Sequence, residues 1–261
     1  MSFGAIAADY DRLRPSPPQE AVSWLVPAGC QIAVDVGAGT GLLTRALART
    51  VAHVFAVEPD ERMRAVLHAR SPDVTVLEGT GEEIPMPDAS ADGVFVSSAW
   101  HWMDPDRAAG EIGRVLRDGG RFGVIWTSRD RQVGWVRELD SLREPDQRSA
   151  AAADEAAPAD EAADTTRPRQ REVTLPQTGL FGNIETASFS FSRPMTIDAL
   201  IDMLATYSGL ITASPQSRAA GLARARAVIQ ERFPDGGEID VPMRAWCWRA
   251  DRTRRAVPAA F

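Results

Sequence analysis

The chain has 261 residues, 44% of them hydrophobic and 25% charged, enough to bury one sizeable core with room for a subdomain. Its formal net charge of −7 argues against nucleic-acid phosphate as the main partner. No apolar run approaches the ~20 residues of a membrane helix, the start lacks a secretion signal, and two distant cysteines (Cys30, Cys247) with three scattered histidines speak against disulfides and metal and for a cytoplasmic chain.

Residues 3–15 carry apolar side chains at helical spacing and stop at prolines, which predicts a first helix; residues 20–26 predict a second. The apolar run 32–36 ends in three glycines at alternate positions, Gly37, Gly39 and Gly41, and an amphipathic segment, 42–49, follows. That reads as strand, tight turn, helix. A glycine turn lets backbone approach a ligand closely and leaves free N–H groups at the helix start. Nucleotide-like cofactors bind at this place in doubly wound sheets.

Two details narrow the cofactor. The dinucleotide fingerprint G-x-G-x-x-G puts its third glycine three positions after the second. Here that position is Leu42, and the glycine comes early, at Gly41. Asp35, just before the turn, would set a negative charge against a pyrophosphate in a partly desolvated crevice. S-adenosylmethionine (SAM) has no phosphate and carries a sulfonium and an ammonium, so an acid there is attractive. A second apolar run, 53–57, stops at Glu58, where a carboxylate ending strand two can accept both ribose hydroxyls.

Proline and acids at 59–61 open a helix, 74–77 is strand three, and a glycine-containing loop, 78–85, follows. Strand four, 93–97, leads to Trp100-His101-Trp102, beside the switch point of such a sheet. An unperturbed pKa of about 6.5 suits His101 to deprotonate a hydroxyl or orient a carboxylate near neutral pH. The structural alternative is a histidine that holds its loop. Trp100 and Trp102 would wall an acceptor pocket, and Trp126 and Trp135 either line it or belong to the core.

A helix over 105–116, a turn over 117–120 and strand five over 121–126 come next. Residues 142–171 shift to Ala, Asp, Glu, Arg and Pro, which bury little and read as a mobile lid or solvated linker. Alternation over 184–191 predicts a half-exposed strand. A helix over 195–210 has Thr196 as its cap and Tyr207 near its end, where it reaches the acceptor or the surface. An Arg- and Ala-rich helix, 215–233, and a final edge strand, 238–249, close the chain.

The sequence resembles class I SAM-dependent methyltransferases, the broad small-molecule group called type 11. The matching pieces are Val34-Asp35-Val36-Gly37-Ala38-Gly39-Thr40-Gly41, Val57-Glu58-Pro59-Asp60 and Gly79-Thr80-Gly81-Glu82-Glu83-Ile84-Pro85. Asp92-Gly93-Val94 and Arg114-Val115-Leu116-Arg117-Asp118-Gly119-Gly120 complete the set, in family order over the first half of the chain. The resemblance implies SAM as cofactor, S-adenosylhomocysteine (SAH) as product and no metal. It places Asp35, Gly37, Ala38, Gly39, Gly41, Glu58, Pro59, Met63, Thr80, Gly81, Glu82 and Ser97 at the cofactor. Tyr10 and Arg14 would face its methionine end, Arg14 pairing with the carboxylate or with an acidic substrate. Relatives often carry Asp-Ala where this chain has Thr80-Gly81, so the adenine amino group would meet a hydroxyl and backbone groups. A core Met63, an Arg14 capping its helix and a Glu82 capping its loop are the alternatives. The His–Trp pair resembles the trans-aconitate methyltransferase-like branch.

These readings predict an α/β fold: a Rossmann-like, doubly wound, seven-stranded, mostly parallel sheet with a helical cap. Cap helices would occupy 1–30, the SAM-binding core 31–130, a lid or mobile insertion 131–178, and C-terminal strands with inserted cap helices 179–261. The expected reaction moves a methyl group from SAM to a small-molecule acceptor, on a hydroxyl or carboxylate oxygen. A SAM-binding protein without catalysis and an NAD-dependent oxidoreductase are the alternatives. The expected partners are a small-molecule acceptor and, beyond a monomer, a second copy, with neither nucleic acid nor membrane.

Overall fold

In the computed structural model, which describes residues 7–141, 173, 175, 179–206 and 214–253, short apolar runs form the central strands and amphipathic segments return the chain. Two helices, α1 (Ala7–Leu13) and α2 (Gln19–Leu25), precede the sheet. β1 (Ile32–Val36), β2 (His53–Val57) and β4 (Ala91–Ser97) are continuously apolar in their centres, as strands covered on both faces are. β3 (Thr75–Leu77) is short. α3 (Leu42–Leu47) crosses from β1 to β2, α4 (Glu61–Arg70) from β2 to β3 and α5 (Pro105–Val115) from β4 to the next strand; β1 pairs in parallel with both β2 and β4, and β2 with β3.

β5 (Leu116–Arg129) pairs in parallel with β4, and β6 (Phe181–Thr196) and β7 (Glu238–Arg252) complete a seven-stranded sheet in the order β3-β2-β1-β4-β5-β7-β6. The order reverses between β1 and β4. Beyond the carboxyl ends of those two strands a ligand crevice forms, because their following loops diverge to opposite sides.

The final strand, expected at an edge, is interior. β7 lies between β5 and β6, and β6 takes the edge. In β7, Ile239, Val241, Met243, Ala245 and Cys247 are buried in alternation, whereas the buried residue of β6 is Met195, near its end. Alternation says that one face is covered, not which strands flank it, so the sequence pattern could not place β7. The runs expected over 121–126 and 184–191 extend at both ends, and the expected 117–120 turn falls within β5, where pairing with β4 shifts register between Ala91 and Gly93.

After β5 comes α6 (Gly134–Ser141). The helix expected over 195–210 spans Ile197–Ala205 as α7, and the Thr196 hydroxyl accepts the Ala199 N–H at 3.1 Å. Such a cap contributes about 1 kcal/mol. α8 (Pro215–Arg232) is capped by Ser214 in the same way. The lid expectation over 142–171 and the expectation for Tyr207 lie outside the described residues.

Contacts divide the chain into two compact units. One comprises residues 15–128, 170–189 and 244–261. Its core joins Val34, Val94, Val96 and Ile112 to Phe122, whose ring lies 5.2 Å from that of Trp100 and 5.3 Å from that of Trp248. Full burial of each such side chain stabilises by about 1.5–3 kcal/mol. The other unit comprises residues 1–14, 129–169 and 190–243. There Leu13 of α1, Leu139 of α6, Leu200 and Met203 of α7 and Ile229 of α8 share a core. Cys30 and Cys247 are buried free thiols, and burial pushes them up to about 11 and about 12. Among the described residues no helix is long and apolar enough to cross a membrane.

Candidate active site

The site is built on the turn after β1. Gly37 and Ala38 both donate their N–H to the Val57 carbonyl, at 2.9 and 3.1 Å, which fastens the turn to the end of β2. Two of its glycines answer different needs. At Gly37 (φ +67°) an added Cβ would stand 2.8 Å from the Ala99 Cβ, so glycine lets the loop after β4 pack against the turn. At Gly39 (φ +57°) an added Cβ would meet nothing within 4 Å, so the backbone there faces open space. That is a cradle a ligand can enter.

Two acids stand behind the cradle. Asp35 is fully buried in β1; its Oδ2 accepts the Thr44 hydroxyl at 2.6 Å, and its Oδ1 is buried without a hydrogen-bond partner. Burial pushes its carboxyl up to about 7; the Thr44 hydrogen bond opposes that, and the Glu58 charge adds to it. Glu58, 7% exposed at the end of β2, accepts the Gly39 N–H on Oε2 at 2.8 Å and the Asp60 N–H on Oε1 at 2.9 Å. Burial raises its pKa as well, against those two hydrogen bonds. Asp60, after Pro59, caps α4 by accepting from the N–H groups of Arg62 and Met63, and the Met63 side chain is buried.

The loop after β3 is tied down from two directions. Thr80 and Glu83 form an isolated antiparallel bridge, and the Thr80 hydroxyl accepts the Glu82 N–H at 3.3 Å. Glu82 accepts the Asp104 N–H at 2.7 Å, and Asp104 caps α5, so Glu82 links this loop to the one after β4. Gly81 packs on Met103, where an added Cβ would stand 2.5 Å from the sulfur. From α5, Arg114 donates to both oxygens of Glu111, to the Ile84 and Met86 carbonyls and to Asp88, at 2.8 to 2.9 Å.

At the end of β4 Ser97 is half-buried, and Ser98 beyond it adopts φ +54°, a left-handed conformation rare outside glycine, while its N–H donates to the Ile125 carbonyl. Residues Trp100–Trp102 form one 3-10 turn. Trp100 is buried in the core on Phe122, whereas Trp102 is 68% exposed and its ring lies 4.8 Å from the His101 ring. Partial desolvation lowers the His101 pKa from its ordinary value, which favours the neutral ring. Trp126 is buried on the same core, with its indole N–H unpartnered.

The remaining expected site residues belong to the other unit. Arg14 lies 5.1 Å from the Tyr10 ring centroid and donates to the Thr206 hydroxyl at 3.1 Å and its carbonyl at 2.9 Å. Trp135 packs edge-on against Phe233 at 5.4 Å. Thr44, Ser98, Glu111 and Arg114 were missed by the sequence reading. Thr44 carried a faint signal, a hydroxyl among the buried Leu43, Ala46 and Leu47 of α3; the others act through pairings distant in the chain.

These residues fit SAM. Gly39 opens a cradle, and beside it stand two buried acids, one with an unanswered oxygen, whose carboxylates would answer a positive charge. A sulfonium or ammonium gains there what a pyrophosphate would lose.

Comparison with known proteins gives the family. A family model described as a methyltransferase domain matches residues 34–124. An uncharacterized methyltransferase of Mycobacterium tuberculosis is 41% identical over 229 residues, which cover 88% of this chain and 86% of that protein. A malonyl-acyl-carrier-protein O-methyltransferase of Hahella chejuensis is 37% identical over 129 residues, 46% of each chain. Among solved structures, a protein described as a type II methyltransferase from Anaeromyxobacter dehalogenans aligns with a TM-score of 0.64 at 25% identity, over 92% of this chain and 97% of that one. This chain belongs to the class I SAM-dependent methyltransferases.

Proposed function

We propose that this methyltransferase acts on an oxygen of a small-molecule acceptor, with the cofactor in the cradle formed by Asp35, Gly39 and Glu58 and the acceptor beside His101. The observation that carries the reading is the packing of the 99–103 segment on the cofactor turns. Ala99 closes on Gly37 and Met103 on Gly81, which brings the Trp100-His101-Trp102 turn against the cradle. A neutral, exposed imidazole on that turn suits a base for a hydroxyl acceptor. The Hahella relative is named as an O-methyltransferase, which favours oxygen.

Bound SAM supplies a methyl group on a sulfonium, already a good leaving group. The chain therefore needs to align and desolvate more than to activate. Asp35 answers the positive charge at the cradle, Glu58 accepts the ribose hydroxyls, and Thr80, Gly81 and Glu82 with Met63 and Pro59 border the adenosyl end. Ser97, at the end of β4, faces the crevice between the two. His101 takes the proton that an acceptor hydroxyl gives up as its oxygen forms the new bond to carbon; a carboxylate acceptor would have none to give. Trp102, exposed beside His101, offers an apolar face to the acceptor.

The test uses SAM carrying a carbon-13 methyl group and a panel of hydroxy and carboxylic acids, phenols and amines. The methyl carbon's chemical shift reports the atom that received it. Methylated oxygen is expected; methylated nitrogen or carbon contradicts the oxygen reading. His101→Ala should lower kcat at saturating SAM by about ten-fold or more, within the range of general-base contributions, and leave SAM affinity unchanged. Unchanged kcat returns His101 to holding its loop.

A further inference from the structure

Asp35 Oδ1 is a buried acceptor without a donor, and such groups call for an explanation. The elements around it supply little. β2 and β4 place Ala56 and Phe95 beside it. α3 brings Thr44, which holds Oδ2, and Arg45, whose guanidinium donates to the Thr40 carbonyl at 2.8 Å. α4 brings the apolar Leu67 and, farther out, Arg64, which donates to the Glu58 carbonyl at 2.8 Å. The charge that bears on Asp35 is that of Glu58, another carboxylate.

We infer that Asp35 releases a proton when SAM binds, and that Thr44 holds its carboxyl so that the site answers the positive charge of SAM and discriminates against SAH. The inference rests on the reading that Asp35 faces the cofactor. Burial and Glu58 keep the proton on Asp35 in the free site up to about pH 7. On binding, the O–H bond of Asp35 breaks, its electron pair stays on the oxygen and the proton passes to buffer. SAM carries one positive charge more than SAH, whose sulfur is a neutral thioether, so SAH leaves more of that proton in place. Above neutrality the site then prefers the methyl donor over its spent product, which weakens product inhibition; in acid the preference fades. Thr44 is a positioning residue: its hydroxyl favours the ionised carboxylate, so losing it raises the pH at which the preference appears.

The experiment is calorimetric titration of the whole chain with SAM and with SAH from pH 6 to pH 8, in buffers of different ionisation enthalpy, which counts protons released per ligand bound. SAM affinity should rise by about ten-fold across that range, as a single group titrating near its middle requires, with proton release towards one per SAM at the acid end. SAH should show a smaller rise. Asp35→Asn should flatten both and bring the two affinities together. Thr44→Val should move the rise to higher pH, and Thr44→Ser should restore it, a shift that a purely structural role would not produce. No SAM binding at any pH overturns the placement of the cofactor and this inference with it. SAM binding with flat affinity and no proton release leaves the cofactor site standing and overturns the proton linkage alone.

Discussion

At the scale of the residue, the cradle separates glycines that look alike in sequence. Gly37→Ala sets a methyl group 2.8 Å from Ala99 at positive φ, so it should destabilise the fold by about 2 kcal/mol, combining strain with overpacking. Gly39→Ala meets open space, so its cost should stay near 1 kcal/mol of left-handed strain while SAM affinity falls steeply. Thermal melting with SAM titration checks both; equal loss of stability in the two variants contradicts the distinction. Asp35 makes a second prediction. Its folded pKa of about 7 stands above the 3.8 of a free carboxyl, so the native state binds the extra proton between them. Its contribution to stability is full in acid and is lost as pH rises towards 7. Relative to the wild type, Asp35→Asn should therefore gain several degrees in Tm between about pH 4 and about pH 8. A constant difference across that range contradicts a buried, protonated Asp35. Asp35 and Glu58 stood out in the sequence because the first lies inside an apolar run and the second directly after one, each just before a turn. Thr44 was not, since its hydrogen bond to Asp35 crosses the glycine turn and leaves no periodic trace.

At the scale of the element, β1 and β2 were legible in full, and β4, expected over 93–97, begins two residues earlier, at Ala91. Residues 32–36 and 53–57 are apolar runs bounded by turn residues, and β1 and β2 have those limits. The loops were legible as motifs but not as structures. Arg114 stood in a family motif with no stated task; in the fold it clamps the 84–88 loop to α5 through both oxygens of Glu111. Arg114→Lys keeps the charge but loses the planar fork, so it should behave nearly as badly as Arg114→Ala. Both should lower Tm by several degrees and weaken SAM binding through the Thr80–Glu82 loop. Scanning calorimetry with SAM titration decides; wild-type behaviour of Arg114→Lys would contradict the geometric account of the clamp. The Trp100-His101-Trp102 stretch reads as one cluster in sequence, yet the 3-10 turn sends Trp100 into the core and leaves His101 and Trp102 exposed.

At the scale of the whole molecule, the doubly wound order around β1 and β4 followed from alternating strands and helices, and with it the place of the crevice. The interior position of β7 did not, because pairing between distant segments decides it. Composition could foresee neither the two-unit division nor the fact that Tyr10, Arg14 and Trp135 fall in a different unit from the cradle. The central claim is that the cradle of Asp35, Gly39 and Glu58 holds an adenosyl cofactor and no dinucleotide. Isothermal titration of the purified protein with SAM, SAH and NAD at one pH, repeated on Glu58→Ala, tests it most directly. The account predicts binding of both adenosyl ligands with Kd on the order of micromolar, none of NAD, and a loss of ten-fold or more, about 1.4 kcal/mol, in the variant. Binding of NAD, or Glu58→Ala with undiminished affinity for SAM, would contradict it.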